Sequence, residues 1–201
     1  DASGDPSENQ IIDFEDYVKI GDPNPDFNFS IGSEFKYKNW DLNLLFTGQN
    51  GGDLFWVDSW QLSGLFRTRN HLSDSFENSW RAPIAYSNGT LVYDSAVGNT
   101  NGAAHPAAIV NNGNRNTPSD RQVFDASFFR LKNINLGYNF NFKNGKSLRL
   151  YVSGQNLITW TNYPGYDPEV QTYTKNPQRR GVDFGTYPGT KSYIFGLRLN
   201  Y

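Results

Sequence analysis

The stretch SYIFGLRLNY, Ser192 to Tyr201, predicts the fold more directly than any other part of the chain. Apolar or aromatic side chains occupy every second position of it, namely Tyr193, Phe195, Leu197, Leu199 and Tyr201. Neighbouring side chains of a β-strand point to opposite faces, so this period of two predicts a strand with one apolar face. Arg198 and Asn200 fall on the opposite, polar face.

Four other stretches alternate in the same way, at residues 27–37, 40–47, 133–140 and 148–155. Their charged residues fall on the polar face, whereas Lys132 precedes the apolar part of its strand and is expected to reach an interface with its long stem. An Arg or Lys that faces lipid at mid-membrane costs about 2–4 kcal/mol, so this selection is expected of a membrane barrel. A soluble sandwich alternates as well, and alternation alone does not favour the barrel over it. The residues predicted to face the barrel lumen are Glu34, Lys36, Asp41, Asn43, Arg149, Tyr151 and Arg198.

Short and long connections alternate along the chain. Tight turns are expected at 38–39 and 142–146, and long connections span 49–128 and 158–191. Outer-membrane barrels alternate in this way, with the short turns on the periplasmic side. Aromatic residues gather at the short-turn ends, where an interfacial girdle is expected: Tyr37, Trp40, Tyr138, Phe140, Phe142 and Tyr201.

The predicted fold class is therefore all-β, with about five C-terminal strands of a large antiparallel transmembrane β-barrel. Five strands leave two open edges, and an open edge in hydrocarbon leaves backbone groups without partners. The barrel is thus expected to be incomplete without upstream strands. A soluble β-sandwich, such as a carbohydrate-binding module, alternates as well and stands as the alternative.

Composition narrows the function classes. The 201 residues carry a net charge of −2, which gives no electrostatic reason to expect nucleic acid. The mean hydropathy of −0.66 and the lack of a run of about 18 apolar residues exclude a membrane-spanning helix but not spanning strands. No catalytic sequence motif is present, so no enzyme is predicted. Asp167, Glu169 and Asp183 are interpreted as solvated loop carboxylates rather than a glycosidase pair.

Two regions carry weaker site predictions. Asp1 and Asp5 faintly match a Ca²⁺ loop, but Pro6 stands where the flexible glycine belongs. No metal or cofactor is therefore predicted, and calcium in an external loop is the one candidate. The long loop contains tryptophans that could contact a ligand or a lid protein, or could instead pack the loop against its neighbours: Trp56, Trp60 and Trp80. Residues 54–70 are expected to form a short amphipathic helix.

Four ordered stretches resemble one family. They are GDPNPDFNFSIGSEFKYKNWDLNLLFTGQNGGDLF (21–55), SDRQVFDASFFRLKNINLGYNF (119–140), LRLYVSGQNLITWTNYPGYDPEV (148–170) and GVDFGTYPGTKSYIFGLRLNY (181–201). Their order and spacing are similar to those of late segments in SusC/RagA-type TonB-dependent outer-membrane transporters. Residues 56–118 carry little of this resemblance, as expected of a variable external loop.

The resemblance implies that the chain is the C-terminal part of a transporter with about 22 strands and a plugged lumen. Its expected partners are the plug and upstream strands, a SusD-like surface lipoprotein, TonB through an N-terminal part, and membrane lipid with lipopolysaccharide. Such transporters import glycans, peptides or other nutrients. The last strand would end at the periplasmic rim of the outer membrane and act as the assembly signal, so removing Tyr201 or placing Asp at Leu197 should reduce insertion.

The expected division of the chain follows from these inferences. External loops are expected at 1–26, 49–128 and 158–190, barrel hairpins at 27–48 and 129–157, and the closing strand at 191–201.

Overall fold

A computed structural model describes residues 17–63, 70–93, 105, 118–143, 145–170, 172–173, 176 and 179–201. The chain forms two compact units, of which one comprises residues 1–20 and 56–123 and the other residues 21–55 and 124–201. The strands are β1 (Phe27–Tyr37), β2 (Trp40–Asn50), β3 (Asp53–Trp56), β4 (Ile84–Ser87), β5 (Thr90–Tyr93), β6 (Val123–Asp125), β7 (Phe128–Asn141), β8 (Ser147–Thr161), β9 (Val182–Asp183) and β10 (Ser192–Asn200). The helices are α1 (Val57–Ser63), α2 (Ser73–Glu77) and a 3-10 turn at Asp120–Gln122.

The second unit is built on one antiparallel sheet with the strand order β1-β2-β7-β8-β10. The five strands that alternation predicts are the five strands of this sheet, which confirms the predicted fold class. The β1–β2 turn places Lys38 at φ 54°, and the β7–β8 turn places Gly145 at φ 75°. Both turns therefore use the left-handed backbone conformation, and the Asn-Gly pair supplies the glycine that tolerates it.

The register of the sheet places polar side chains on one face and apolar side chains on the other. Gly32, Glu34 and Lys36 stand opposite Leu45, Asn43 and Asp41, and the same polar row continues through β7, β8 and β10. The other face is apolar and exposed: Phe195 and Leu197 are 78% and 71% accessible. A β-sandwich would bury this face against a second sheet, so the exposure speaks against that alternative.

Aromatic rings form a row at each end of the apolar face. At the short-turn end Trp40 contacts Tyr138, with ring centroids 4.8 Å apart, and Tyr138 contacts Phe140 at 4.6 Å. At the opposite end the rings pack side by side across four strands, in a row that comprises Phe27, Phe29, Phe46, Phe129 and Trp160. The sequence indicated only the first row.

Lys132 sits at an irregularity in the ladder. The pairing of β2 with β7 passes from Leu45–Asn133 directly to Phe46–Leu131, so Lys132 is the extra residue of a bulge. The bulge explains why Lys132 breaks the alternation. Its ammonium pairs with Glu169 at 3.4 Å, and a position of this side chain at a membrane interface stays a prediction.

A small three-stranded sheet, in the order β6-β3-β9, lies beyond the loop ends of the large sheet. The turn at residues 21–26 docks on it: the backbone N–H of Asp22 donates to Asp53 Oδ2 at 2.8 Å, and that of Asp53 to the carbonyl of Asp22 at 2.7 Å. Gly181 (φ 79°) lies against Pro23, where a Cβ would come within 2.4 Å of the proline ring. The GDPNPD turn thus joins three connecting segments of this unit.

The first unit contains α1, α2, the 3-10 turn and the hairpin of β4 and β5. The helix expected over 54–70 begins only at Val57, because residues 54–56 belong to β3, and it is described as far as Ser63. No helix among the described residues is long and apolar enough to cross a membrane.

Candidate functional site

An ion pair on the polar face spans three strands near the short-turn end of the sheet. Arg149 on β8 reaches across β7 to Asp41 on β2 with Nη2 and with Nε, the latter at 3.2 Å. Its Nη2 also donates to Asn135 Oδ1 at 3.1 Å, and Asn139 Nδ2 donates to Asp41 Oδ1 at 3.1 Å. Charge-assisted bonds of this kind are the stronger ones in proteins, so the pair cross-links the sheet at its short-turn end.

Two glycines make room for this arrangement. A Cβ on Gly137 would lie 2.6 Å from Arg149 Nη2, because the guanidinium passes directly over the β7 backbone. The ring of Tyr151 covers Gly196 on β10, where a Cβ would meet the ring at 2.2 Å. The Arg149 guanidinium also lies 5.3 Å from the Tyr151 ring centroid, within cation–π range. Large side chains thus fill the space above glycines on the neighbouring strands.

A second polar cluster lies at the loop end of β7. Arg130, only 3% exposed, donates from Nη2 to Asp167 at 2.5 Å and from Nη1 to Glu169 at 2.9 Å. Asp167 also accepts the backbone N–H groups of Glu169 and Gly189. Removing one partner of a buried pair costs about 3–5 kcal/mol, so the cluster anchors the segment after β8 to the strand.

A third contact closes the same segment on itself. Asp183 is fully buried; its Oδ2 accepts the Tyr163 hydroxyl at 2.7 Å and its Oδ1 accepts the Thr186 N–H at 3.1 Å. Asp167 and Asp183 are therefore buried structural carboxylates, and their interpretation as solvated loop groups is wrong. Glu169, which is half exposed, fits that interpretation better.

The structure puts every predicted lumen residue on the polar face of the sheet, but it does not join them all. Asp41, Arg149 and Tyr151 belong to the cluster around the Asp41–Arg149 ion pair, and Asn43 pairs in register with Asn135. Glu34 and Lys36 form a separate, exposed ion pair at 2.8 Å. Arg198 lies opposite Arg149 in the ladder. The predicted assembly residues Tyr193, Phe195, Leu197 and Leu199 line the apolar face of β10, and Tyr201 follows it at 98% exposure.

The predicted ligand or lid tryptophans belong to different elements. Trp56 ends β3, Trp60 lies in α1, and Trp80 follows α2 at 39% exposure. The weak calcium candidates Asp1 and Asp5 lie outside the described residues. Within the part of the chain that the structure describes, no group of three or more His, Cys, Asp and Glu is placed to hold a metal ion.

The sequence analysis did not predict a hydrogen-bonded group of three side chains in the first unit, formed by Asp74, His105 and Arg121. His105 Nε2 lies 2.8 Å from Asp74 Oδ2, and His105 Nδ1 lies 3.1 Å from Arg121 Nη2. Since the arginine can only donate, Nδ1 is the acceptor and Nε2 carries the proton that binds Asp74. The hydrogen bond from His105, helped by one from Asn78, lowers the pKa of Asp74 below its usual value.

The sequence of the chain is similar to those of TonB-dependent receptors. The chain is 34% identical over 202 residues to TonB-dependent receptor P3 of Formosa agariphila, covering 96% of this chain and 18% of that protein. It is 27% identical over 216 residues to the TonB-dependent receptor SusC of Bacteroides thetaiotaomicron, covering 100% of this chain and 18% of SusC. No family model matches the chain. The chain is a segment of a SusC/RagA-type TonB-dependent receptor.

The fold of the receptor segment agrees with a solved structure of the same kind. The RagAB peptide importer in its closed-closed state superposes with a TM-score of 0.61 at 23% identity, over 86% of this chain and 16% of the importer chain. The receptor segment spans about a fifth of the length of the curated relatives it matches.

Side-chain contacts join the four stretches that resemble the family. Asp41 of the first stretch meets Arg149 of the third, and Tyr151 of the third covers Gly196 of the fourth. Arg130 of the second stretch binds Asp167 and Glu169 of the third. Tyr163 of the third binds Asp183 of the fourth. A signal for the Arg130 cluster was present in the sequence, since Arg130 and Asp167 are opposite charges inside two such stretches.

Proposed function

We propose that the protein to which this segment belongs is an outer-membrane, TonB-dependent active importer of nutrients. The observation that carries the proposal is the division of the large sheet into a continuous exposed apolar face and a cross-linked polar face. Lipid accepts the first face and a plugged, hydrated lumen accepts the second. The segment then contributes barrel wall and external loops, and no step of chemical catalysis.

The dimensions of the apolar face support this assignment. Phe27 and Tyr37 lie at opposite ends of β1, about 33 Å apart along the strand. A strand tilt of about 40° reduces this distance to roughly 25 Å along the membrane normal, the height of the apolar band of outer-membrane barrels. Each end of the band carries an aromatic row, as interfacial girdles do.

The proposal includes orientation, partner and substrate class. The short turns with Lys38 and Gly145 face the periplasm, and the longer connections face outward. A SusD-like lipoprotein closes over the outer side, and the cargo is a glycan or a peptide. The similarity of the fold to that of the RagAB peptide importer supports the peptide class. Any metal in the assembly would be calcium in an external loop.

Growth of a host strain that lacks the gene of the full-length receptor tests the import function. The strain is grown on single glycans and on peptides as sole nutrients, with and without a plasmid copy of the gene. The expected result is loss of growth on one nutrient class, restored by the plasmid only while TonB is present. Equal growth of the deletion strain on every nutrient, or restoration without TonB, contradicts the proposal.

Purification tests the partner. A tagged full-length receptor, extracted in mild detergent, is expected to bring down one surface lipoprotein in a fixed ratio. A receptor that purifies alone at all detergent concentrations contradicts the lid assignment but leaves the import function to the growth experiment.

A further inference from the structure

Two arginines face each other on the polar side of the last two strands of the sheet. Arg149 on β8 and Arg198 on β10 are direct partners in the antiparallel register. Side chains in such positions have Cβ atoms about 4.5–5.5 Å apart, and like charges placed there destabilise the pairing. The two strands therefore require carboxylates nearby.

Arg149 has its carboxylate and Arg198 does not. The guanidinium of Arg149 points away from β10, over Gly137, to Asp41 on β2. The side chain of Arg198 is exposed and makes no hydrogen bond, ion pair or ring contact with any residue that the structure describes. Neither β8 nor β10 contains an Asp or Glu.

None of the other polar-face residues of β10 offers a negative charge to the Arg198 guanidinium. Gly196 is covered by the Tyr151 ring, and Asn200 Nδ2 donates to Ser147 Oγ at 3.1 Å. Ser192 and Ile194 complete this face and carry no charge. The open direction for Arg198 is the edge of β10 that faces away from β8, and no described strand pairs with that edge.

We propose that the strand that pairs with the free edge of β10 carries an Asp or Glu against Arg198, and that this ion pair sets the register of the last barrel seam. The occupant is a strand of the same receptor outside this segment, because an open edge in hydrocarbon is untenable. Its carboxylate lies on the polar face directly opposite Arg198, where the Cβ atoms of two paired residues approach most closely.

The ion pair specifies the register between β10 and the neighbouring strand more narrowly than the alternation of apolar and polar residues does. A slip by one residue exchanges the apolar and polar faces and is excluded by the lipid. A slip by two residues keeps both faces correct, so alternation alone permits it. Such a slip moves the carboxylate about 7 Å along the strand, so that it no longer stands directly opposite Arg198 and the close ion pair is lost. This inference rests on the barrel fold and is independent of the imported nutrient.

The test uses the full-length receptor in its own outer membrane. Three variants are compared: Arg198→Lys, Arg198→Gln and Arg198→Glu. The control is Asn200→Glu, which places the same new charge on the same face of β10 two residues away. The folded fraction is measured by the mobility difference between heated and unheated receptor on SDS gels.

We expect Arg198→Lys to match the wild type and Arg198→Gln to lower the ratio of folded to unfolded receptor about two- to fivefold. Arg198→Glu should lower this ratio further, and Asn200→Glu should stay near the wild type. Equal ratios for wild type, Arg198→Gln and Arg198→Glu overturn the proposal.

Charge exchange identifies the partner even if Arg198→Glu folds poorly. In that background, each acidic residue predicted on the polar face of the neighbouring strand is changed to Lys in turn. The proposal expects one such change to restore folding. Rescue by an acidic residue of the plug instead, or by none, overturns the strand assignment.

Discussion

At the scale of the residue, Gly137 is the position where the ion pair of the polar face leaves no room for a Cβ. A methyl group there would lie 2.6 Å from Nη2 of Arg149 and 2.8 Å from Oδ1 of Asp41, so the guanidinium would have to leave its bond to Asp41. Overpacking of this kind costs about 1–3 kcal/mol. Gly137→Ala in the full-length receptor should therefore lower the midpoint temperature at which the unheated gel band of the folded barrel disappears.

Gly32→Ala is the matched control for this prediction. Gly32 lies on the same face of the same sheet, but a Cβ there meets only the carbonyl of Leu44, at 3.9 Å. The control should keep the wild-type midpoint or raise it slightly, because alanine loses less backbone freedom on folding. If both variants lower the midpoint temperature equally, the lack of space above Gly137 does not explain the loss of stability.

Asp74 gives the first unit a pH dependence at the residue scale. The pKa of Asp74 is lowered by the hydrogen bonds from His105 and Asn78. A carboxyl with a lowered pKa stabilises the fold above the pKa it has in the unfolded chain, about 3.9, and this stabilisation is lost as the pH falls through the folded-state value. The contact between α2 and His105 should thus weaken below about pH 4.

Amide hydrogen exchange checks this expectation. The amide of His105 donates to the Asn78 carbonyl, and the amide of Trp80 donates to the His105 carbonyl. Their protection factors, which correct for the intrinsic effect of pH, should fall between pH 5 and pH 3 in the wild type. Asp74→Asn should remove this fall, and protection that falls equally in both proteins contradicts it.

At the scale of the element, the segment after β8 depends on its buried carboxylate more than on its exposed one. The Asp167 side chain is 8% accessible and that of Glu169 is 47%, although both bind Arg130. Asp167→Asn leaves a buried guanidinium with a neutral partner, which we expect to cost about 3–5 kcal/mol locally. Glu169→Gln should cost at most about 1 kcal/mol.

Limited proteolysis of the intact receptor measures this difference. Cleavage between residues 162 and 190 should become much faster in Asp167→Asn and stay near the wild-type rate in Glu169→Gln. If the two variants are cleaved at equal rates, burial does not decide the strength of the anchor.

The strands of the sheet could be predicted from the sequence, whereas the side-chain partners that anchor the segment after β8 could not. The period of two fixed the five strands, their faces and the polar side of Asp41 and Arg149, since alternation is a local property. The partners of Arg130 and Asp183 are 37 and 20 residues away in the chain, and spacing alone cannot pair them. The bulge at Lys132 was visible only as a broken alternation, because a bulge is defined by the pairing with the partner strand, here β2.

At the scale of the whole molecule, the two faces of the sheet should respond oppositely to the same charge. Leu136 stands in the middle of β7 on the apolar face at 41% exposure, and Asn133 stands three residues away on the polar face. An arginine that faces lipid near the midplane costs about 2–4 kcal/mol, and one that faces a hydrated lumen costs little.

Leu136→Arg should therefore lower the amount of folded full-length receptor in the outer membrane at least tenfold, while Asn133→Arg should keep it near the wild type, since about 1.4 kcal/mol corresponds to each factor of ten. The amounts are compared in outer-membrane fractions by the gel-mobility difference between folded and unfolded barrel. A protein whose apolar face were covered by another sheet would also reject Leu136→Arg, but its wild-type form would remain soluble without detergent. Tolerance of both arginines would contradict the lipid assignment, because only a face in contact with water accepts such a charge freely.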